Sequence, residues 1–114
     1  MVLNLLFLKA HKKLEHRVKE NTDRMKFEWD TEKSITNESK HRISFNEAAS
    51  VFGDPLAITF PDPDNSKNET RFLVFGVSKS NKLLVVSYTE RKGTVRIISA
   101  REATRYERRI YEDG

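Results

Sequence analysis

Residues 71–100 read RFLVFGVSKSNKLLVVSYTERKGTVRIISA, and this stretch decides the fold. Three apolar runs, rich in β-branched and aromatic residues, are separated by two short polar stretches, which is typical of strands joined by tight turns. The first two runs are apolar on both faces, so they should lie at the centre of a sheet that is covered on both sides. The pattern predicts an antiparallel meander with strands at 70–77, 82–89 and 94–99.

A strand and two helices are predicted before the meander. Residues 26–29 alternate between polar and apolar side chains and predict a short strand. Asp30 is a suitable N-cap for a helix over 31–41, because its carboxylate can accept a hydrogen bond from a free backbone N–H. Ser44, with Glu47 three residues later, predicts a capping box at the start of the second helix.

A further strand and a last helix complete the pattern. Gly53 and Pro55 end the second helix, and a strand at 56–60 follows. After the meander, Ser99 with Glu102 predicts another capping box and a last helix to about residue 112. The sequence therefore predicts an α+β fold, with N-terminal helices packed on a small antiparallel sheet and a C-terminal helix after it.

The first 24 residues have a pattern of their own. Five apolar residues spaced three or four apart share one helix face: Leu3, Phe7, Ala10, Leu14 and Val18. An amphipathic helix of this kind needs a surface to cover. We therefore divide the chain into a helical extension, 1–24, and a main domain, 25–114, which is expected to act without the extension. Two interpretations of the extension stay open: an additional helix, or a stretch upstream of a natural start at Met25.

Composition excludes several classes of protein. The 114 residues include no cysteine, which excludes disulfides, thiolate catalysis and Cys-based metal sites and favours a reducing compartment. Apolar runs such as 5–8 reach only four residues, far too few to span a membrane, so we expect a cytoplasmic protein. Neither a Gly-rich phosphate loop nor an HExxH motif is present, and no metal or cofactor is expected. The net charge of +4 fits either a polyanionic partner or simple solubility.

Two groups of side chains could carry chemistry. Histidine is the residue type that exchanges protons most readily near neutral pH, so His41 could act in proton transfer. As a cation it could instead stabilise the negative, C-terminal end of its helix. Arg101, Arg105 and Arg108 share one face of the last predicted helix, and Arg96 joins them from the neighbouring strand. Guanidinium groups grip phosphate with two parallel hydrogen bonds, so these arginines could hold an RNA backbone. A solvated face and a site for an acidic protein remain alternatives.

Several short motifs, in order, resemble the BrnT toxin family from Met25 to about Tyr111. They are Phe27-x-Trp29-Asp30-x-x-Lys33, Asn37-x-x-Lys40-His41-x-Ile43-Ser44-Phe45-x-Glu47-Ala48, Val51-Phe52-x-Asp54-Pro55, Glu69-x-Arg71-Phe72, Gly76-x-Ser78, Leu83-Leu84-Val85-Val86, Arg96-Ile97-Ile98-Ser99-Ala100-Arg101 and Glu107-Arg108-Arg109. The resemblance implies a RelE-like fold and a toxin that cleaves mRNA without a metal. It also implies a cognate BrnA-like antitoxin of ribbon-helix-helix type, with operator DNA bound only through that antitoxin. Arg42 replaces the glycine that usually follows Lys-His in the family.

The resemblance also suggests which residues form the site. His41 is assigned to proton transfer, and Arg71 and Arg101 to stabilising charge on the phosphate. The residues assigned to holding RNA are Lys40, Arg91, Arg96 and Arg105. The alternative function is a non-catalytic regulatory module that binds nucleic acid or protein, which would share the basic residues without needing histidine and arginine to converge.

Overall fold

The computed structural model of the chain describes residues 25–114, and the helix predicted over 1–24 lies outside them. The described part contains five strands and three α-helices, with short 3-10 turns at Val51–Gly53 and Pro63–Asn65. The elements are β1 (Lys26–Glu28), α1 (Thr31–His41), α2 (Phe45–Ser50), β2 (Ile58–Pro61), β3 (Arg71–Val77), β4 (Leu83–Arg91), β5 (Thr94–Glu102) and α3 (Arg105–Asp113).

The five strands form one sheet in the order β1-β5-β4-β3-β2. Strands β2 to β5 are antiparallel, as the meander predicts, but β1 pairs parallel to β5. The sheet is therefore mixed, and the prediction of a wholly antiparallel sheet is wrong at this edge. Parallel pairing needs a long connection between the two strands, and here α1, α2 and three strands supply it.

The two central predicted strands are covered on both faces, as expected. Val85 and Val86 of β4 point to opposite faces and are both almost fully buried. On one face, Phe45, Ala48 and the 3-10 turn after α2 pack against β3, β4 and β5. The opposite face carries α3, since Arg101 of β5, which lies on that face, is bonded to this helix. Helices on both sides of the sheet thus bury its centre.

The predicted N-caps of the first two helices are confirmed. Asp30 accepts a hydrogen bond from the Lys33 N–H, and Ser44 Oγ accepts one from the Glu47 N–H, each at 3.0 Å. The reciprocal half of the predicted Ser44–Glu47 box is absent, because the Glu47 carboxylate accepts a hydrogen bond from Ser78 Oγ at 2.7 Å instead. Glu47 thereby ties α2 to the turn between β3 and β4.

The start of the last helix differs from the prediction. Ser99 and Glu102 both belong to β5, which extends to Glu102, and the capping box is formed by Thr104 and Glu107. Both pairs have the same Ser/Thr-x-x-Glu spacing, and pairing of β5 with β4 selects the later one. Arg101 is consequently a strand residue and not part of a basic helix face.

Asn37 of α1 closes part of the free edge of β5. Strand β1 pairs only with the first three residues of β5, and the Asn37 amide bonds both backbone groups of Ala100 farther along. Its nitrogen donates to Ala100 O at 2.8 Å and its oxygen accepts from Ala100 N at 3.0 Å. The amide thus imitates a neighbouring strand, and a further bond to Ile43 O fixes the chain after α1.

The turn between α1 and α2 passes through Arg42 in a left-handed conformation, with φ 61° and ψ 30°. Its N–H donates to Glu38 O at 2.8 Å, which ends the helix in the manner usually reserved for glycine. No helix in residues 25–114 is long and apolar enough to cross a membrane.

Candidate functional site

Four of the predicted arginines lie on one face of the sheet, and we call three of them, Arg71, Arg91 and Arg96, the basic surface. Arg71 of β3 is opposite Thr89 of β4, which is opposite Arg96 of β5. Directly opposed residues point to the same side of a sheet. Arg91 lies two residues beyond Thr89 and so shares this face. The meander therefore gathers arginines from three strands, about 5 Å apart per strand, beside the β4–β5 turn.

Glu69 joins two of these arginines. Arg71 Nε lies 3.3 Å from Glu69 Oε2, and Arg91 Nη2 lies 2.9 Å from Glu69 Oε1. The bonds to Arg91, and then Arg71, lower the pKa of the Glu69 carboxyl, and Glu69 in turn raises the pKa of Arg91. The Arg91 side chain is 54% exposed and that of Arg71 is 31% exposed, so both remain accessible to a ligand.

Arg96 is paired at the other end of the basic surface. Its Nη1 lies 3.3 Å from the Glu28 carboxylate of β1, directly across from it in the parallel pair. Thr89 lies buried between Arg96 and Arg71 and donates its hydroxyl to Thr70 O at 2.6 Å. The Thr89 hydroxyl is therefore already hydrogen-bonded within the protein. The guanidinium groups on either side of it are the groups of this row that can contact a polar ligand.

Arg101 is on the same face but is engaged differently. Its two terminal nitrogens contact the two oxygens of Glu107 at 2.8 and 2.9 Å. This bidentate pair with Arg101 lowers the pKa of Glu107 from 4.5 to about 2, and Glu107 raises the pKa of Arg101. Glu107 also caps α3 through the Thr104 N–H at 2.8 Å. Arg105 is exposed in the first turn of that helix.

His41 and Lys40 lie in a different place, at the end of α1. They line a groove of about 400 Å³ between this helix and the uncovered part of β5, together with Asp30, Glu32, Lys33, Thr36, Asn37, Ile98 and Ser99. Ile98 is the extra residue of a bulge between β4 and β5. The structure thus brings Arg71 and Arg91 together, with Arg96 in the same row, and places His41 in a separate groove.

A second cavity, of about 450 Å³, adjoins Arg71. It is lined by Asp64, Asn65, Lys67, Asn68, Glu69 and Arg71. The loop that forms it is closed by Ser66, whose hydroxyl donates to Asp62 O at 2.7 Å and accepts from Arg71 N at 2.9 Å. This fixed loop sets the position of Glu69 beside the basic surface.

The acidic partners of Arg71, Arg91 and Arg101 are not evident from the sequence alone. Glu69 stands two residues before Arg71, and continuing the β3–β4 register places it opposite Arg91. The Glu69-x-Arg71 spacing could have indicated a shared face, but the register was needed to place Arg91. Within 25–114, no group of three or more His, Cys, Asp or Glu side chains is arranged to hold a metal ion.

Comparison with known proteins gives two findings. A family model described as the ribonuclease toxin BrnT of type II toxin–antitoxin systems matches residues 29–107. The crystal structure of the Brucella abortus ribonuclease toxin BrnT is similar, with a TM-score of 0.56 and 25% sequence identity. The match covers 71% of this chain and 99% of that chain. The search of curated proteins found no match.

Proposed function

This chain belongs to the BrnT family, the ribonuclease toxins of type II toxin–antitoxin systems, and we propose that it cleaves mRNA with the RNA strand held along the basic surface. The observation that carries this proposal is the convergence of arginines from β3, β4 and β5 on one face. Guanidinium groups keep their charge at any physiological pH and bind phosphate in pairs of hydrogen bonds. A single strand with regularly spaced phosphates fits such a row.

The proposed reaction uses the 2′-hydroxyl of the RNA as the nucleophile. Its oxygen attacks the adjacent phosphorus, the bond from phosphorus to the 5′-oxygen breaks, and a cyclic phosphate remains. One proton must leave the 2′-oxygen and one must reach the 5′-oxygen. Negative charge grows on the phosphate oxygens, which fixed cationic donors stabilise. No metal is required for these steps.

We assign Arg71 to charge stabilisation, with Arg91 and Arg96 holding the flanking backbone. Only Nε of Arg71 bonds to Glu69, so its two terminal nitrogens are available to a phosphate. Arg101, also assigned to the phosphate, would have to exchange its Glu107 contacts for those with RNA. Arg71 needs no such exchange, so it is the better supported of the two assignments.

His41 and Lys40 are assigned to the other side of the substrate. Their groove at the edge of β5 would receive a nucleotide next to the one held by Arg71, with Lys40 contacting RNA. For His41 to move a proton in the same reaction, the RNA must bring the reacting phosphate within hydrogen-bond reach of His41 as well as of Arg71. The strand would pass from the basic surface around the edge of β5 to reach His41 and Lys40. Arg105, exposed at the start of α3, would contact RNA beyond this region.

A cognate antitoxin follows from membership of a type II toxin–antitoxin family. We propose that this antitoxin is BrnA-like, with a ribbon-helix-helix fold, and that the toxin meets operator DNA only through it. A RelE-like fold, a cytoplasmic location and dispensability of residues 1–24 belong to the same proposal. Expression of residues 25–114 alone, compared with the full chain for growth inhibition, tests the last of these.

Alanine substitution tests the site assignment. Arg71→Ala should abolish growth inhibition and RNA cleavage while the melting temperature stays within about 4 °C of the parent, as for a partly exposed side chain outside the core. Lys79→Ala, which removes an exposed charge in the turn between β3 and β4, is the control and should keep full activity. RNA cleavage by Arg71→Ala at the parent rate would refute the assignment. RNA binding without cleavage by the parent would favour a non-catalytic regulatory module.

A further inference from the structure

Glu69 is an unexpected residue beside a surface for RNA. A carboxylate there repels phosphate, and Glu69 offsets one of the three positive charges of the basic surface, as Glu28 offsets that of Arg96. It is nevertheless only 26% exposed and held by two arginines from neighbouring strands. Because its charge opposes RNA binding, its well-defined contacts with two arginines indicate that Glu69 contributes to this surface in another way.

The geometry of the contacts indicates what this role is. Glu69 takes one oxygen to each arginine, Oε2 to Arg71 and Oε1 to Arg91. It contacts Arg71 only through Nε, so the terminal edge of that guanidinium makes no hydrogen bond within residues 25–114. Arg101 is the contrasting case, because Glu107 occupies both of its terminal nitrogens. Glu69 therefore fixes Arg71 without filling the edge that grips phosphate.

Resting on the proposed function, we infer that Glu69 is a positioning residue that holds Arg71 and Arg91 as one preformed clamp for a phosphodiester of the RNA. Long arginine side chains lose rotamer freedom when they bind a ligand, and a bound carboxylate removes part of that loss beforehand. The loop closed by Ser66 holds the main chain of Glu69 in place, so the clamp is set by the fold. For Glu69 to have this role, the benefit of ordering two arginines must exceed the repulsion between Glu69 and the phosphate.

Glu69 could instead merely compete with phosphate for the arginines. The two roles predict opposite effects of Glu69→Gln on RNA affinity. Removing a negative charge from a face that binds a polyanion should by itself tighten binding. Loss of positioning predicts the opposite: Glu69→Gln should weaken binding about tenfold, the cost of ordering two long side chains. Glu69→Asp, which keeps the charge on a shorter stem, should recover part of the loss. Glu112→Gln, which removes a charge on α3, is the control and should bind as the parent does.

Binding is measured by fluorescence anisotropy with a labelled 2′-O-methyl oligonucleotide, which cannot be cleaved by attack of its own 2′-hydroxyl. Circular dichroism confirms that each variant is folded at the temperature used. Weaker binding by folded Glu69→Gln, with partial recovery in Glu69→Asp, supports the inference. Unchanged or tighter binding by Glu69→Gln overturns it while leaving the proposed function intact. Failure of the parent to bind or cleave any RNA overturns the proposed function and the inference together.

Discussion

Arg42 has a left-handed backbone conformation, so its replacement by glycine should stabilise the protein. For an L-residue this conformation costs about 1–2 kcal/mol, which glycine avoids. The unfolded chain is more flexible with glycine at this position, which offsets about 0.4–1 kcal/mol of the stabilisation. Loss of the Arg42 charge near the C-terminal end of α1 offsets about another 0.3 kcal/mol. Arg42→Gly should therefore raise the free energy of unfolding by about 0.5 kcal/mol, provided that the backbone N–H at position 42 keeps its bond to Glu38 O.

Arg42→Ala is the matched control for this prediction. It removes the same charge but keeps a Cβ in the left-handed region, so it should be no more stable than the parent. Urea unfolding of the three proteins at one pH measures the difference, which should be about 1 kcal/mol between glycine and alanine. In a domain of this size that corresponds to a difference of several degrees in melting temperature. Equal stability of the glycine and alanine variants would refute the reasoning, since the backbone conformation would then carry no strain.

Three other substitutions test the fold. Ser44→Ala should lower the free energy of unfolding by about 1 kcal/mol, because the Glu47 N–H loses its cap, and an unchanged urea midpoint would contradict this. Asn37→Leu should lower it by about 2–4 kcal/mol, as buried backbone groups at the β5 edge lose their partners; a loss below about 1 kcal/mol would mean that water replaces the amide. Glu107→Gln should flatten the pH dependence of the melting temperature. The pKa of Glu107 is lowered to about 2 by Arg101, so the stabilisation is present above about pH 4.5 and is lost as the pH falls toward 2. A parent curve as flat as that of the variant would contradict the effect.

Local patterns predict most of this fold correctly. The caps at Asp30 and Ser44 and the central position of β4 follow from side-chain chemistry within a few residues. The predictions fail where the local structure depends on pairing with a segment that is distant in the sequence. Ser99-x-x-Glu102 is as good a helix start as Thr104-x-x-Glu107, and only pairing with β4 keeps the first in a strand.

The site is harder to predict for the same reason. That Arg71 and Arg96 share a face depends on their common neighbour Thr89, hence on a register that includes the bulge in β5. The link between Arg71 and Arg91 depends on Glu69, which contributes to the site by contact with both strands. A sequence supplies the arginines, but strand pairing decides which of them meet.

The parallel pairing of β1 with β5 has a consequence for the order of events during synthesis. β1 is made before the other described strands, yet its partner is the last strand of the sheet to leave the ribosome. The nascent chain must hold β1 unpaired while β2, β3 and β4 are translated, and contacts so distant in sequence form slowly. Arg96, which β1 anchors through Glu28, reaches its final surroundings only in that closing step. Because the proposed RNA-binding surface is completed this late, there is an interval during synthesis in which most of the polypeptide exists but this surface does not.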